Sequence, residues 1–85
     1  MKKGDIVLIP FPFTDLTGNK LRPALVLVSG TTDVTVAFIT TQIRWKEPED
    51  VILNPTNQNG LKQISLVRLS KLATIDMNLV VGILG

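Results

Sequence analysis

The chain has no cysteine, no histidine and no tyrosine. The first absence removes disulfides, thiolate metal ligands and thiol nucleophiles. The second removes the usual general base at neutral pH, the commonest transition-metal ligand and any Ser-His-Asp triad. Whatever chemistry this protein performs therefore runs without imidazole. Long apolar runs are missing too, since no stretch approaches the roughly 18 consecutive residues of a membrane-spanning helix. The start Met1-Lys2-Lys3-Gly4-Asp5 has neither the apolar core nor the cleavage site of a signal peptide. A cytoplasmic location with no membrane partner is the expectation.

What is present is a short, apolar chain. Its 85 residues amount to one domain spanning 1–85, and a domain of that size buries only roughly 60–65% of the surface its unfolded chain exposes. Yet 45% of the residues are apolar. So much apolar surface on so small a body points to a homodimer or a bound partner. Nine Lys and Arg against seven Asp and Glu leave a net charge of +2. That balance permits RNA or DNA binding only through local clustering of cations, not through a global field.

Strand signals dominate. Apolar runs at residues 5–9 and 24–28 bracket an irregular segment, and residues 33–40 alternate as a half-buried strand, with Val34, Val36 and Phe38 on one face and Thr35, Ala37 and Ile39 on the other. Residues 41–49 are polar and contain Pro48, which reads as an exposed loop, and residues 50–53 form a short strand. Asn54-Pro55-Thr56-Asn57-Gln58-Asn59-Gly60 is a dense turn signal. Residues 65–69 and 73–75 then read as two strands separated by Ser70-Lys71, and an apolar run at 79–84 is broken by Gly82. Five or six short strands without an amphipathic helix predict an all-β fold, a small SH3-like barrel of strongly bent strands.

The segment from Phe11 to Pro23 ends by setting Arg22 at the root of a strand, because Pro23 pushes it toward extended geometry. A planar, permanently charged fork on rigid backbone suits phosphate or carboxylate recognition. The plain alternative is an arginine that pairs with Asp5 or Asp15 to seal the loop.

Four fragments in order resemble the MazF/PemK toxin family: Gly4-Asp5-Ile6-Val7, Arg22-Pro23-Ala24-Leu25-Val26-Leu27, Ile39-Thr40-Thr41-Gln42, and the stretch from Asn59-Gly60-Leu61 through Val67-Arg68-Leu69 to Ala73-Thr74-Ile75-Asp76. The resemblance implies a ribosome-independent endoribonuclease of a toxin–antitoxin pair, dimeric, free of metal and cofactor, on a barrel of the kind expected above. It implies single-stranded RNA and a cognate antitoxin as partners. Carried over by position, the family's catalytic arginine falls on Arg22 and its catalytic threonine on Thr40, while Gln42 lies where relatives approach RNA. In such a reaction the substrate's 2′-hydroxyl is the nucleophile, and the protein aligns it, moves protons and stabilises a charged phosphorane. Asp15 is the candidate for proton transfer, with capping of its own turn as the alternative. The chain departs from the pattern in two places. No residue matches an acidic position that relatives carry before the arginine, where this sequence reads Leu16-Thr17-Gly18-Asn19, and the helix that follows the barrel in longer relatives is lacking after Gly85.

Other residues are read beside these. Trp45, between Arg44 and Lys46, suits a base stacked beside cations that hold phosphates, against the alternative of an indole capping the barrel's end. Thr41 and Lys20 complete the expected RNA-contacting set. Phe11 and Phe13 read as core or dimer contacts. Lys62, Arg68 and Lys71 read as solvated charges, and Asp5 as a partner for Arg22 or a closure of the first turn. Glu47, Glu49 and Asp50 do not make a metal site. Two other readings stand beside the nuclease: a non-enzymatic barrel that acts through protein binding, as gyrase-poisoning toxins do, and a catalytically impaired homologue that binds RNA or antitoxin.

Overall fold

The computed structural model describes residues 1–10 and 21–85, so Phe11, Phe13, Asp15 and Lys20 lie outside the described residues. Six strands form one antiparallel sheet: β1 (Ile6–Pro10), β2 (Leu21–Ser29), β3 (Asp33–Thr40), β4 (Val51–Leu53), β5 (Ser65–Asp76) and β6 (Gly82–Ile83), in the spatial order β4-β5-β3-β2-β1-β6. Two single 3₁₀ turns, Ile43–Trp45 and Met77–Leu79, are the only helical elements among the described residues. None of these is long and apolar enough to cross a membrane. The all-β, barrel-like expectation is met.

The central strands are covered on both sides. Val7 and Ile9 of β1, Ala24 and Val26 of β2, and Val34 and Val36 of β3 form one apolar cluster, to which Phe38, Ile75 and Val80 add. Ile6, Ala37, Ile39 and Val67 form a second cluster, flanked by Leu25, Leu27, Leu53, Leu61 and Leu84. Alternate residues of one strand feed opposite clusters, as the two-residue period of a pleated strand requires. The half-buried reading of β3 holds at Thr35, which stays partly exposed, and is exceeded at Ala37 and Ile39, which the second cluster buries on the opposite face from Val34 and Val36.

The segment expected as two strands around Ser70-Lys71 is one strand, β5, carrying an irregularity. Ala37 pairs with Leu72 while the next residue, Phe38, pairs with Arg68, so Leu69, Ser70 and Lys71 have no counterpart on β3. Such a bulge bends its strand and re-aims the side chains around it. On the other side of β3, the ladder to β2 begins at Ala24 opposite Phe38. It stops there because Pro23 has no N–H to offer. Leu21 and Arg22 stay paired only to Pro10 and Ile9 of β1. Sheet pairing thus fails on both flanks of β3 near its C-terminal end, once by proline and once by bulge.

The chain's last residues close the body. Leu84 N–H donates to the Ile6 carbonyl at 2.7 Å, and Ile6 N–H to the Gly85 carbonyl at 2.8 Å. Gly60, at φ +70°, lets the turn before β5 meet this segment, because a Cβ there would stand 2.9 Å from Leu84 Cβ. The run at 79–84 contributes the two-residue β6, and Leu79 belongs instead to the 3₁₀ turn Met77–Leu79, capped by the Asp76 carboxylate accepting from Asn78 N–H at 2.8 Å.

Candidate functional site

The double failure of pairing opens a cleft of about 750 Å³. Arg22 and Pro23 from the start of β2 form one wall, residues 38–42 the floor, and Arg68, Ser70, Lys71 and Leu72 of the bulged β5 the other wall. The β2–β3 ladder ends at Ala24 opposite Phe38, two residues short of both Arg22 and Thr40, and both of these line the cleft. Arg22 is exposed and Thr40 half-buried, so the same cleft holds a cation on extended backbone that faces solvent and a hydroxyl that is partly sheltered from it.

Thr40 is oriented by its own chain. Its Oγ1 accepts from Gln42 N–H at 3.2 Å. A hydroxyl has one proton to give and two lone pairs to offer, so this contact uses an acceptor site and leaves the O–H to donate elsewhere.

Arg68 is the feature that reading the sequence misses. Expected as a solvated charge, it sits with its side chain 20% exposed and donates from Nη2 to Glu47 Oε1 at 2.6 Å. Asp50 Oδ2 lies 3.6 Å from the same nitrogen, on a side chain with no exposure. Asp50 is held by the turn it closes: Glu47 N–H donates to its Oδ2 at 2.9 Å, and its own N–H to the Glu47 carbonyl at 3.0 Å. Pro48 stands at the second position of that turn, where its fixed φ is favoured. Arg68 Nε and Asp50 Oδ1 are buried and have no hydrogen-bond partner among the described residues. Glu47 and Asp50 thus offset Arg68. Arg22 and Lys71, by contrast, have no carboxylate within ion-pair distance among the described residues, and the cleft presents them to solvent with the hydroxyls of Thr40, Thr41 and Ser70. Such a lining suits an anion of more than one oxygen.

Of the residues expected at a site, Arg22, Thr40, Thr41 and Gln42 line the cleft together. Arg44, Trp45 and Lys46 do not line it; they follow directly in the exposed 3₁₀ turn and its edge. Trp45 caps no barrel end, being 63% exposed. Asp5 does not reach the cleft; its Oδ2 accepts from Lys2 N–H at 2.9 Å and closes the first turn. Ser70 and Lys71 are cleft residues that the sequence reading assigned to a break. The bulge also switches the face of β5: Val67 joins the cluster of Ile39, whereas Ile75 packs against that of Val34 and Val36, so no single alternation runs through Ser70-Lys71 to mark the strand as continuous.

A family model described as "PemK-like, MazF-like toxin of type II toxin-antitoxin system" matches residues 2–85. Comparison with curated proteins gave no match.

Proposed function

The chain belongs to the PemK-like, MazF-like toxins of type II toxin–antitoxin systems, and from that premise we propose that it is a metal-independent endoribonuclease acting on single-stranded RNA, with Arg22 and Thr40 at the scissile phosphate. Membership also implies an antitoxin partner. The observation that carries the catalytic reading is that Arg22 and Thr40 line one open cleft with Lys71 and a set of hydroxyls.

In this mechanism the 2′-oxygen of the substrate attacks the adjacent phosphorus, the bond from phosphorus to the 5′-oxygen breaks, and the products carry a 2′,3′-cyclic phosphate and a 5′-hydroxyl. The proton lost by the 2′-hydroxyl is balanced by one gained at the departing 5′-oxygen. The protein's task is electrostatic: Arg22 offers two parallel N–H donors to the equatorial oxygens as charge accumulates, and the Thr40 O–H, not used in its contact with Gln42, adds a third. Lys71, across the cleft, attracts the strand as a point charge. Exposed Val81 and Ile83 at 61% and 56% support a homodimer across whose groove the strand runs.

Purified protein incubated with single-stranded RNA and excess EDTA is expected to yield fragments ending in cyclic phosphate. Arg22→Ala abolishes them. Thr40→Val slows cleavage on the order of 10²- to 10³-fold, the usual effect of losing one preorganised donor, while RNA binding persists. Cleavage that survives Arg22→Ala ends the mechanism. RNA binding without any fragments from the unaltered protein points to an impaired homologue, and inhibition of gyrase with cellular RNA intact points to the protein-binding reading.

A further inference from the structure

Trp45 is the chain's sole tryptophan, and it stands 63% exposed while the core side chains are at 0–4%. An indole is among the largest apolar groups a protein can bury, so leaving it in water forgoes stabilisation that this small body has reason to want. Its position is nonetheless fixed. Trp45 N–H donates to the Gln42 carbonyl at 3.3 Å, Ile43 N–H to the Thr41 carbonyl at 2.9 Å, and Lys46 N–H to the Ile43 carbonyl at 3.3 Å. The loop is thus tied at its start to two cleft residues, Thr41 and Gln42. At its end, Glu47 and Asp50 tie it to a third, Arg68. At the rise of a 3₁₀ turn, three residues carry Trp45 roughly 6 Å along the axis from Gln42. The Arg44 guanidinium lies 5.5 Å from the centre of the indole ring, and Lys46 is the next residue in the chain.

We propose that Trp45 is a stacking platform for one unpaired base of the RNA whose backbone occupies the cleft, with Arg44 holding the indole and offering its outer N–H groups to the phosphate of that nucleotide. The proposal rests on the reading of the cleft as an RNA site. An aromatic face accepts any base, because every base has a π-face, and it rejects duplex because paired bases are not available to it. A platform beside the scissile position favours single strands without naming a sequence. It also holds the strand down on the loop that leaves the cleft at Gln42, which resists rotation about the backbone.

The absence of tyrosine and of any second tryptophan makes the test direct, since indole emission reports on this residue alone. A short, end-labelled single strand of mixed sequence, made of 2′-O-methyl RNA so that it is not cut, is titrated into the unaltered protein. Label anisotropy and indole fluorescence are followed together. Quenching that saturates with the anisotropy change is the expected result, with no quenching by the same strand in a duplex. Trp45→Ala weakens binding about 5- to 150-fold, and Trp45→Phe recovers most of the loss. Binding by anisotropy with unaltered indole emission, or a Trp45→Ala variant that binds like the parent, overturns the platform and leaves the nuclease reading intact. If the strand produces no anisotropy change at all, the reading of the cleft falls and the platform falls with it. Quenching by an antitoxin segment but not by RNA also overturns it, in favour of a protein contact.

Discussion

Asp50 is the residue whose removal most sharply tests the account of how the cleft wall is held. Its side chain is fully buried, its Oδ2 accepts from Glu47 N–H at 2.9 Å, and the same oxygen is 3.6 Å from Arg68 Nη2. Asp50→Ala deletes a hydrogen bond to a charged acceptor, worth about 1.5–3 kcal/mol. It also removes one of two carboxylates facing Arg68. Breaking a wholly buried ion pair costs about 3–5 kcal/mol, but Arg68 retains 20% exposure and keeps Glu47, so only a fraction applies. A combined loss of about 2–4 kcal/mol follows, a large share of the roughly 5–15 kcal/mol by which small domains are stable. Glu47→Ala removes the shorter contact, at 2.6 Å, yet Glu47 is 48% exposed, and solvent screening limits that pair to about 1 kcal/mol or less. Asp50→Asn falls between, since it keeps an acceptor for Glu47 N–H and loses the charge. Urea unfolding followed by far-ultraviolet circular dichroism measures all three, and Trp45 fluorescence reports separately on the loop that Asp50 anchors. The reasoning is refuted if Asp50→Ala and Glu47→Ala destabilise equally within about 0.5 kcal/mol, because burial would then not be what sets the value of the carboxylate.

Gly60→Ala must place a Cβ at φ +70° and within 2.9 Å of Leu84 Cβ; a loss of at least about 1–2 kcal/mol is expected in the same unfolding experiment, and a neutral result would show that this turn does not bear on the C-terminal segment. Lys71→Ala leaves the β3–β5 pairs of the ladder in place, so thermal stability stays near the parent's while RNA affinity falls. The slope of log affinity against log salt decreases in magnitude by about 0.7, the value for one phosphate contact on a single strand. An unchanged slope would remove Lys71 from the strand's path.

The all-β class and the span of β3 were legible because period-two alternation is a local property, clear from Asp33 to Val36 and followed by the apolar run Val36-Ala37-Phe38-Ile39 of a strand buried on both sides. Arg22, Thr40, Thr41 and Gln42 were legible as neighbours through the family resemblance, and Pro23 gave a physical reason for a cation on extended backbone. The other wall was not. Arg68 looks like any surface arginine until Glu47 and Asp50, more than fifteen residues earlier in the chain, are folded against it, and that contact depends on how β4 lies along β5. The double-sided burial of β3 likewise depends on strands from both ends of the sheet. What sequence hides here is non-local pairing.

The unpaired stretch in β5 separates two demands that usually conflict. Leu69, Ser70 and Lys71 contribute nothing to the ladder with β3, so the backbone's bonding scheme is indifferent to what stands there. Two of the three nevertheless face the cavity. Exchanging them alters the charge, size and polarity met by an incoming strand while the rungs on either side remain as they are. The protein thus holds a patch of adjustable surface set into an otherwise fully committed framework, the kind of place where preference for one target over another can be changed without rebuilding the domain.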